Sequence, residues 1–144
     1  VASAGAAVAA TKRLKPLDFV PADAGVNAFR SPAGVGGVGG TASFAAPLVL
    51  PVGATLTGIR FHTTGATGSR SATIHGFVVN AAPIIIGSVS TTETVGDVMT
   101  PASTTGSLTS TTPLRVISAD MLYYVELSCA DQTAIWAVDV DYIP

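Results

Sequence analysis

Charge is what this chain has least of. Its 144 residues include 7 Lys or Arg and 9 Asp or Glu, so charged residues make up 11%, less than half the quarter usual for a folded domain. A formal net charge of -2 gives no electrostatic footprint for nucleic acid, which needs a basic face to displace phosphate counterions. Low charge beside 48% hydrophobic residues also excludes disorder, because disordered chains are charged and poor in apolar residues. Long apolar runs are missing: none reaches the ~18 to 20 residues of a membrane-spanning helix. Cysteine is reduced to Cys129, so no intramolecular disulfide can form, and either redox compartment is compatible. Catalytic signatures are missing as well. No G-x-S-x-G elbow occurs, and Asn27 and Asn80 lack the Ser or Thr of a glycosylation sequon.

What is present are short runs of Val, Ile, Thr, Phe and Tyr, separated by Gly, Pro, Ser and Asn clusters. That spacing belongs to a sandwich or jelly roll, and the length fits one domain. The expected fold is all-β, a single jelly-roll β-sandwich of about eight antiparallel strands. An extended N-terminal arm covers residues 1–13, and the jelly-roll domain covers residues 14–144. Strands are expected at 14–20, 41–50, 55–63, 71–79, 84–90, 114–117, 121–129 and 134–143, with an irregular edge strand near 107–110. Residues 30–40 (RSPAGVGGVGG) read as a flexible Gly-rich loop, and residues 64–70 as a hairpin loop joining paired strands. The run Ile84, Ile85, Ile86 reads as a strand buried on both faces. Thr57, Ile59 and Phe61 alternate against Leu56, Arg60 and His62. Tyr123, Val125, Leu127 and Cys129 alternate against Tyr124, Glu126 and Ser128. Trp136, Val138, Val140 and Tyr142 form the apolar face of the last strand, with Ala137, Asp139 and Asp141 on the other.

Three stretches carry a resemblance. They are LDFVP (residues 17–21), FAAPLVLPVGATLTGIRFH (residues 44–62) and ISADMLYYVELSCADQTAIWAVDVDYIP (residues 117–144). Together they resemble small secreted bacterial β-sandwich proteins of poorly defined function, similar in shape to the jelly-roll heads of complement C1q and tumour necrosis factor. Asp120 departs from that pattern, being followed by Met121 where those proteins often have Asn. The resemblance implies a jelly roll that assembles as a trimer. It implies no catalytic residue.

Candidate chemistry is sparse. His62 and His75 flank the expected hairpin, so pairing would bring them onto one face. Two imidazoles are too few for zinc unless a three-fold axis multiplies them. Asp139 and Asp141, two apart on a strand, stand about 7 Å from each other. That separation suits glycosidase carboxylates, but aromatics at 6% give little to line a sugar cleft. With Asp131 they offer some of the six to eight oxygens calcium wants. Solvated or interface carboxylates are the simpler reading, with Arg60 and Arg115 as ion-pair partners. Cys129, on an apolar face, reads as a buried inert thiol. The sequence thus points to no catalytic residue and no cofactor. His62, His75, Asp139 and Asp141 are the weak candidates for a metal.

The functional expectation is a non-enzymatic structural protein. It self-assembles through trimers into an extracellular or surface fibre, sheath or coat. The first residues, small and apolar like the region around a signal-peptide cleavage site, make it secreted or surface-bound. Residues 1–11 are expected to pack on a neighbouring subunit as an added strand, with Lys12, Arg13 and Lys15 pairing to its acids. Val1, Ala2, Val8, Lys12, Arg13, Lys15 and Tyr124 form the expected interface. A viral coat or decoration protein and a carbohydrate- or ligand-binding head are the alternatives.

Overall fold

The computed structural model describes residues 8–22, 28–65, 68–91, 102–108 and 112–144. Among these, twelve strands form two antiparallel sheets. The strands are β1 (Ala10–Leu14), β2 (Val20–Pro21), β3 (Ala28–Ser31), β4 (Gly34–Gly37), β5 (Ala42–Pro47), β6 (Thr55–Gly65), β7 (Arg70–Phe77), β8 (Ile84–Thr91), β9 (Ala102–Thr105), β10 (Ser107–Leu108), β11 (Leu122–Cys129) and β12 (Thr133–Ile143). The first sheet runs β3-β4-β12-β6-β9, with β1 also paired to β12; the second runs β10-β8-β7-β11-β5-β2. The fold is therefore the expected all-β jelly-roll sandwich. Several of its strands are too short to register in the sequence.

Alternation builds the core. Tyr123, Val125, Leu127 and Cys129 turn inward from β11, and Phe44 and Ala46 from β5. They meet Ile59 and Phe61 of β6 and Val138 and Val140 of β12. Burying each such large side chain contributes roughly 1.5 to 3 kcal/mol. Between the sheets, Arg70 of β7 is also fully buried, in register with Cys129.

Several expectations need correcting, each for a local reason. The strand expected at 14–20 is interrupted. Pro16 has no N–H to donate to a ladder and fixes φ, and Pro16–Asp18 turn as a 3-10 helix. The Asp18 carboxylate accepts the Lys15 N–H at 2.8 Å. The chain reaches β12 earlier, as β1, so residues 10–13 of the expected arm lie along their own domain. Residues 1–7 of that arm are outside the described residues. Among the described residues β1 pairs with β12 alone, and its Thr11, Lys12 and Arg13 side chains are exposed.

The Gly-rich segment is not a loop but the hairpin β3–β4, and Gly34–Gly37 are buried against β12. β6 and β7 do not form a hairpin. β6 lies between β12 and β9, while β7 lies between β11 and β8 in the other sheet. Ile84 and Ile85 are exposed while Ile86 is buried, because β8 slips register between Ile74 and His75 of its partner. Leu114 and Arg115 belong to a helical turn, Thr112–Arg115, where Pro113 sits in the first turn that proline favours. Val116 makes an isolated bridge to Thr55.

Two bulges decide which side chains face outward. Opposite β12, the register jumps between Asp141 and Tyr142, from Gly58 to Leu56. Thr57 is thus an extra residue, and Leu56 turns inward with Ile59 and Phe61. The second jump, between Ile135 and Ala137, makes Trp136 extra. Ile135 takes the inward position expected of Trp136, and the indole turns to the outer face. Bulges re-aim side chains in this way wherever they interrupt a ladder.

Candidate functional site on the outer sheet faces

Neighbouring strands β1, β12 and β6 place Thr11, Arg13, Asp139, Asp141, Arg60 and His62 on the outer face of the first sheet. The Asp139 side chain is only 3% exposed, and its charge is held by a fork. Arg13 Nε donates to Oδ1 at 2.8 Å and Nη2 to Oδ2 at 2.9 Å. His62 Nε2 lies 2.7 Å from the same Oδ2. To donate there, Nε2 must carry the hydrogen. Its 3.4 Å approach to Arg13 Nη2 is then a contact between two donors, not a hydrogen bond. Arg60 forks onto Asp141 through Nε at 3.2 Å and Nη2 at 2.9 Å. Thr11 Oγ1 donates to Asp141 Oδ1 at 2.6 Å. Trp136 backs the cluster, with its ring 4.9 Å from His62 and 5.3 Å from the Arg13 guanidinium.

These contacts set the protonation. The Arg13 hydrogen bonds hold the Asp139 carboxyl down at about 2; burial opposes them and His62 assists. Hydrogen bonds to Asp139 and Asp141 raise Arg13 and Arg60 in turn. The cluster is a set of fixed charges with each aspartate oxygen already accepting.

The outer face of the second sheet is different. Tyr124 of β11 is in register with His75 of β7 and Pro47 of β5. The His75 ring stacks on Tyr124 at 4.8 Å and 14°, and Phe77 meets it edge-on at 5.9 Å. Both His75 ring nitrogens are covered and have no hydrogen-bond partner among the described residues. Burial pushes the Tyr124 phenol up, and Glu126 on the same face adds to the shift. Ile85 and Leu122 extend this face as exposed apolar side chains.

The structure therefore separates His62 from His75, one on each sheet, against the expected pairing. It joins Asp139 and Asp141 but spends both on arginines, while Asp131 accepts the Gly39 N–H at 2.7 Å elsewhere. Among the described residues, no group of three or more His, Cys, Asp or Glu is placed to hold a metal ion. Arg60 pairs as expected, and Arg115 lies in the helical turn. Arg13 pairs with Asp139 of its own chain, not with a neighbour's acid. Lys12 lines an open crevice of about 240 Å³ with Leu14, Asp18, Pro47 and Val49, and Lys15 caps the 3-10 turn through its backbone. Val8 is exposed; Val1 and Ala2 are outside the described residues. Cys129 is buried, and burial pushes its thiol up to about 12, the inert state expected of it. The residues that sequence reasoning missed are Arg13 as the partner of Asp139, and Trp136 as an outer-face side chain.

No family model matches the chain, and no curated protein matches it. Similar solved structures include the carbohydrate-binding module TmCBM61 in complex with beta-1,4-galactotriose. It is 14% identical, with 92% of this chain and 86% of that chain covered and a TM-score of 0.40. They also include the Eiger TNF from S. frugiperda, 9% identical, with 93% of this chain and 85% of that chain covered and a TM-score of 0.44. At these identities the likeness is one of jelly-roll fold.

Proposed function

We propose that this chain is a non-enzymatic structural protein that associates with further copies of itself, first as trimers. From these it builds an extracellular or cell-surface fibre, sheath or coat. The observation that carries the reading is the outer face of the second sheet, where Tyr124, His75, Phe77, Leu122 and Ile85 present a largely apolar surface. Contiguous apolar patches of this kind mark contact surfaces, and aromatic residues are enriched in them. Glu126 is the charge that β11 contributes to this face, so a strongly charged partner would find little to complement. A second copy brings the same largely apolar surface, which complements it without a strong charge of either sign.

Sedimentation velocity across a concentration series tests this reading. The wild-type protein is expected to populate oligomers, and Tyr124→Ser is expected to weaken association by roughly tenfold or more. Tyr124 faces outward, so circular dichroism should be unchanged. A wild-type protein that stays monomeric at every concentration would sink the proposal. The segment before β1 adds to the same reading, because Val8 is a large apolar residue left 82% exposed. Removing residues 1–9 keeps β1 intact and is expected to reduce higher assembly, as seen by negative-stain microscopy. Unaltered particles after truncation would remove the arm from the mechanism.

A further inference from the structure

We infer that the end of the sandwich where β11 begins is a lipid-contact surface, two valine-tipped turns that seat among the headgroups of a zwitterionic bilayer. The inference uses different residues from the self-association reading and does not depend on it.

Two tight turns meet at this end. β11 enters the second sheet between β5 and β7, with Leu122 in register with Phe77 and the Tyr123 carbonyl accepting the Leu48 N–H at 3.0 Å. The chain leaving β5 and the chain leaving β7 therefore turn over the same end. In the first turn the Ala54 N–H donates to the Pro51 carbonyl at 3.0 Å, and Gly53 has φ 88°. In the second the Ala81 N–H donates to the Val78 carbonyl at 3.0 Å, and Asn80 has φ 66°. A positive φ at the third residue alone makes both type II turns. The apex residue before it is Val52 in one and Val79 in the other, each 67% exposed. Val49, Val78 and Ile84 flank them and are exposed too. The turn geometry favours proline at that apex and does not call for valine.

The chemistry fits lipid. Segments 47–54 (PLVLPVGA) and 77–86 (FVVNAAPIII) hold no charged residue. The adjoining chain, where the Ile117 carbonyl accepts the Gly53 N–H at 2.8 Å, brings one charge of each sign, Arg115 and Asp120. This end therefore has no charge preference for an anionic surface. Much of its backbone is already satisfied. The N–H groups of Leu48, Gly53, Ala54 and Ala81 are spent inside the protein, and Pro51 and Pro83 have none, so leaving bulk water costs these turns less than it costs an open loop. Shallow seating keeps the other apex amides among hydrated headgroups. A bilayer interface rewards projecting aliphatic area and needs no matching contour. A protein partner needs about 800 Å² a side of close-fitting surface, and a pair of turn apices offers projections instead.

The test is co-sedimentation of the full chain with phosphatidylcholine vesicles, with a vesicle-free spin to subtract self-pelleting. The wild type is expected to bind, and high salt to leave binding undiminished, because no ion pair carries it. Val52→Asp combined with Val79→Asp is expected to weaken partitioning tenfold or more, with circular dichroism unchanged because both side chains face out. Val38→Asp is the control. Val38 is also an exposed valine, 56%, but follows β4 near Asp131, past the far end of β11, and its substitution should leave binding unaltered. No binding by the wild type overturns the inference, as does binding confined to anionic vesicles and lost in salt. Binding kept by the double variant overturns it as well. Sedimentation velocity without lipid completes the test: an oligomer that the double variant loses, with no vesicle binding by the wild type, assigns this end to a second copy instead. Failure of the self-association reading shows separately, through Tyr124→Ser.

Discussion

Gly36→Ala is expected to cost this fold about 3 kcal/mol, at the upper end of what one extra carbon costs in a packed interior. For a chain of this length that is a fall in Tm of roughly 10 °C. Gly36 sits in β4 between Phe29 of β3 and Ala134 of β12. A Cβ there would stand 2.1 Å from the Thr133 carbonyl oxygen and 2.6 Å from Phe29 Cε1. The ring can swing aside; the carbonyl belongs to the backbone of a central strand and cannot. The Phe29 ring occupies the space the missing side chain leaves, as aromatics do over strand glycines. Gly34→Ala is the control. Its Cβ would meet the Ile135 oxygen at 3.5 Å and Ala134 Cβ at 3.8 Å, ordinary contact distances, so that variant should stay near wild type. Chemical denaturation of both decides the matter. Equal losses would mean that glycine is required along β4 for its backbone freedom and not for close approach at Gly36.

The same segment marks a limit of sequence reading. Glycine has no strand propensity, so VGGVGG carries the composition of a loop. Its strand character comes from the backbone of β12, about a hundred residues later. Where side chains speak for themselves, the sequence is legible. β11 alternates without interruption, and each of Tyr123, Val125, Leu127 and Cys129 faces the core. Alternation fails wherever one residue is added to a ladder. Thr57 and Trp136 each do this, and a single extra residue reverses the face of everything beyond it. The candidate site divides along the same line. Asp139 and Asp141 share a face by simple spacing, so their neighbourhood is readable. Arg13 lies 126 positions from Asp139, and only the pairing of β1 with β12 brings them together. His62 and His75 illustrate the reverse case, residues close in sequence that a change of sheet sends to opposite faces.

Asp139→Asn should remove roughly 2 kcal/mol of stability at neutral pH and very little near pH 2. The folded chain holds the Asp139 carboxyl at about 2, chiefly through the Arg13 fork, against an ordinary value of 3.8. Each unit of such a difference is worth 1.36 kcal/mol, hence the ~2 kcal/mol. The unfolded chain binds the proton more tightly, so acid draws the equilibrium toward unfolding. The contribution is complete above the ordinary carboxylate value and is lost as pH falls through about 2. Breaking a wholly buried pair costs ~3 to 5 kcal/mol. The smaller figure applies here because Arg13 is 47% exposed and returns its charge to water when the fork is lost. Asparagine preserves shape and one acceptor, so the packing beneath it should hold. Urea unfolding of both proteins from pH 7 down to pH 2 measures the difference directly. It should shrink steadily across the acid limb; a gap that stays constant would place the stabilising role of Asp139 in its shape and not its charge. Because Arg13 belongs to β1, the loss should also be local. Amide exchange at Thr11 to Leu14 should quicken in the variant at pH 7 more than exchange in β11, since among the described residues β1 has only β12 as a strand partner. The fork is thus what makes a five-residue edge strand part of the sandwich, and the charge kept on a sparsely charged chain is spent where a strand would otherwise fray.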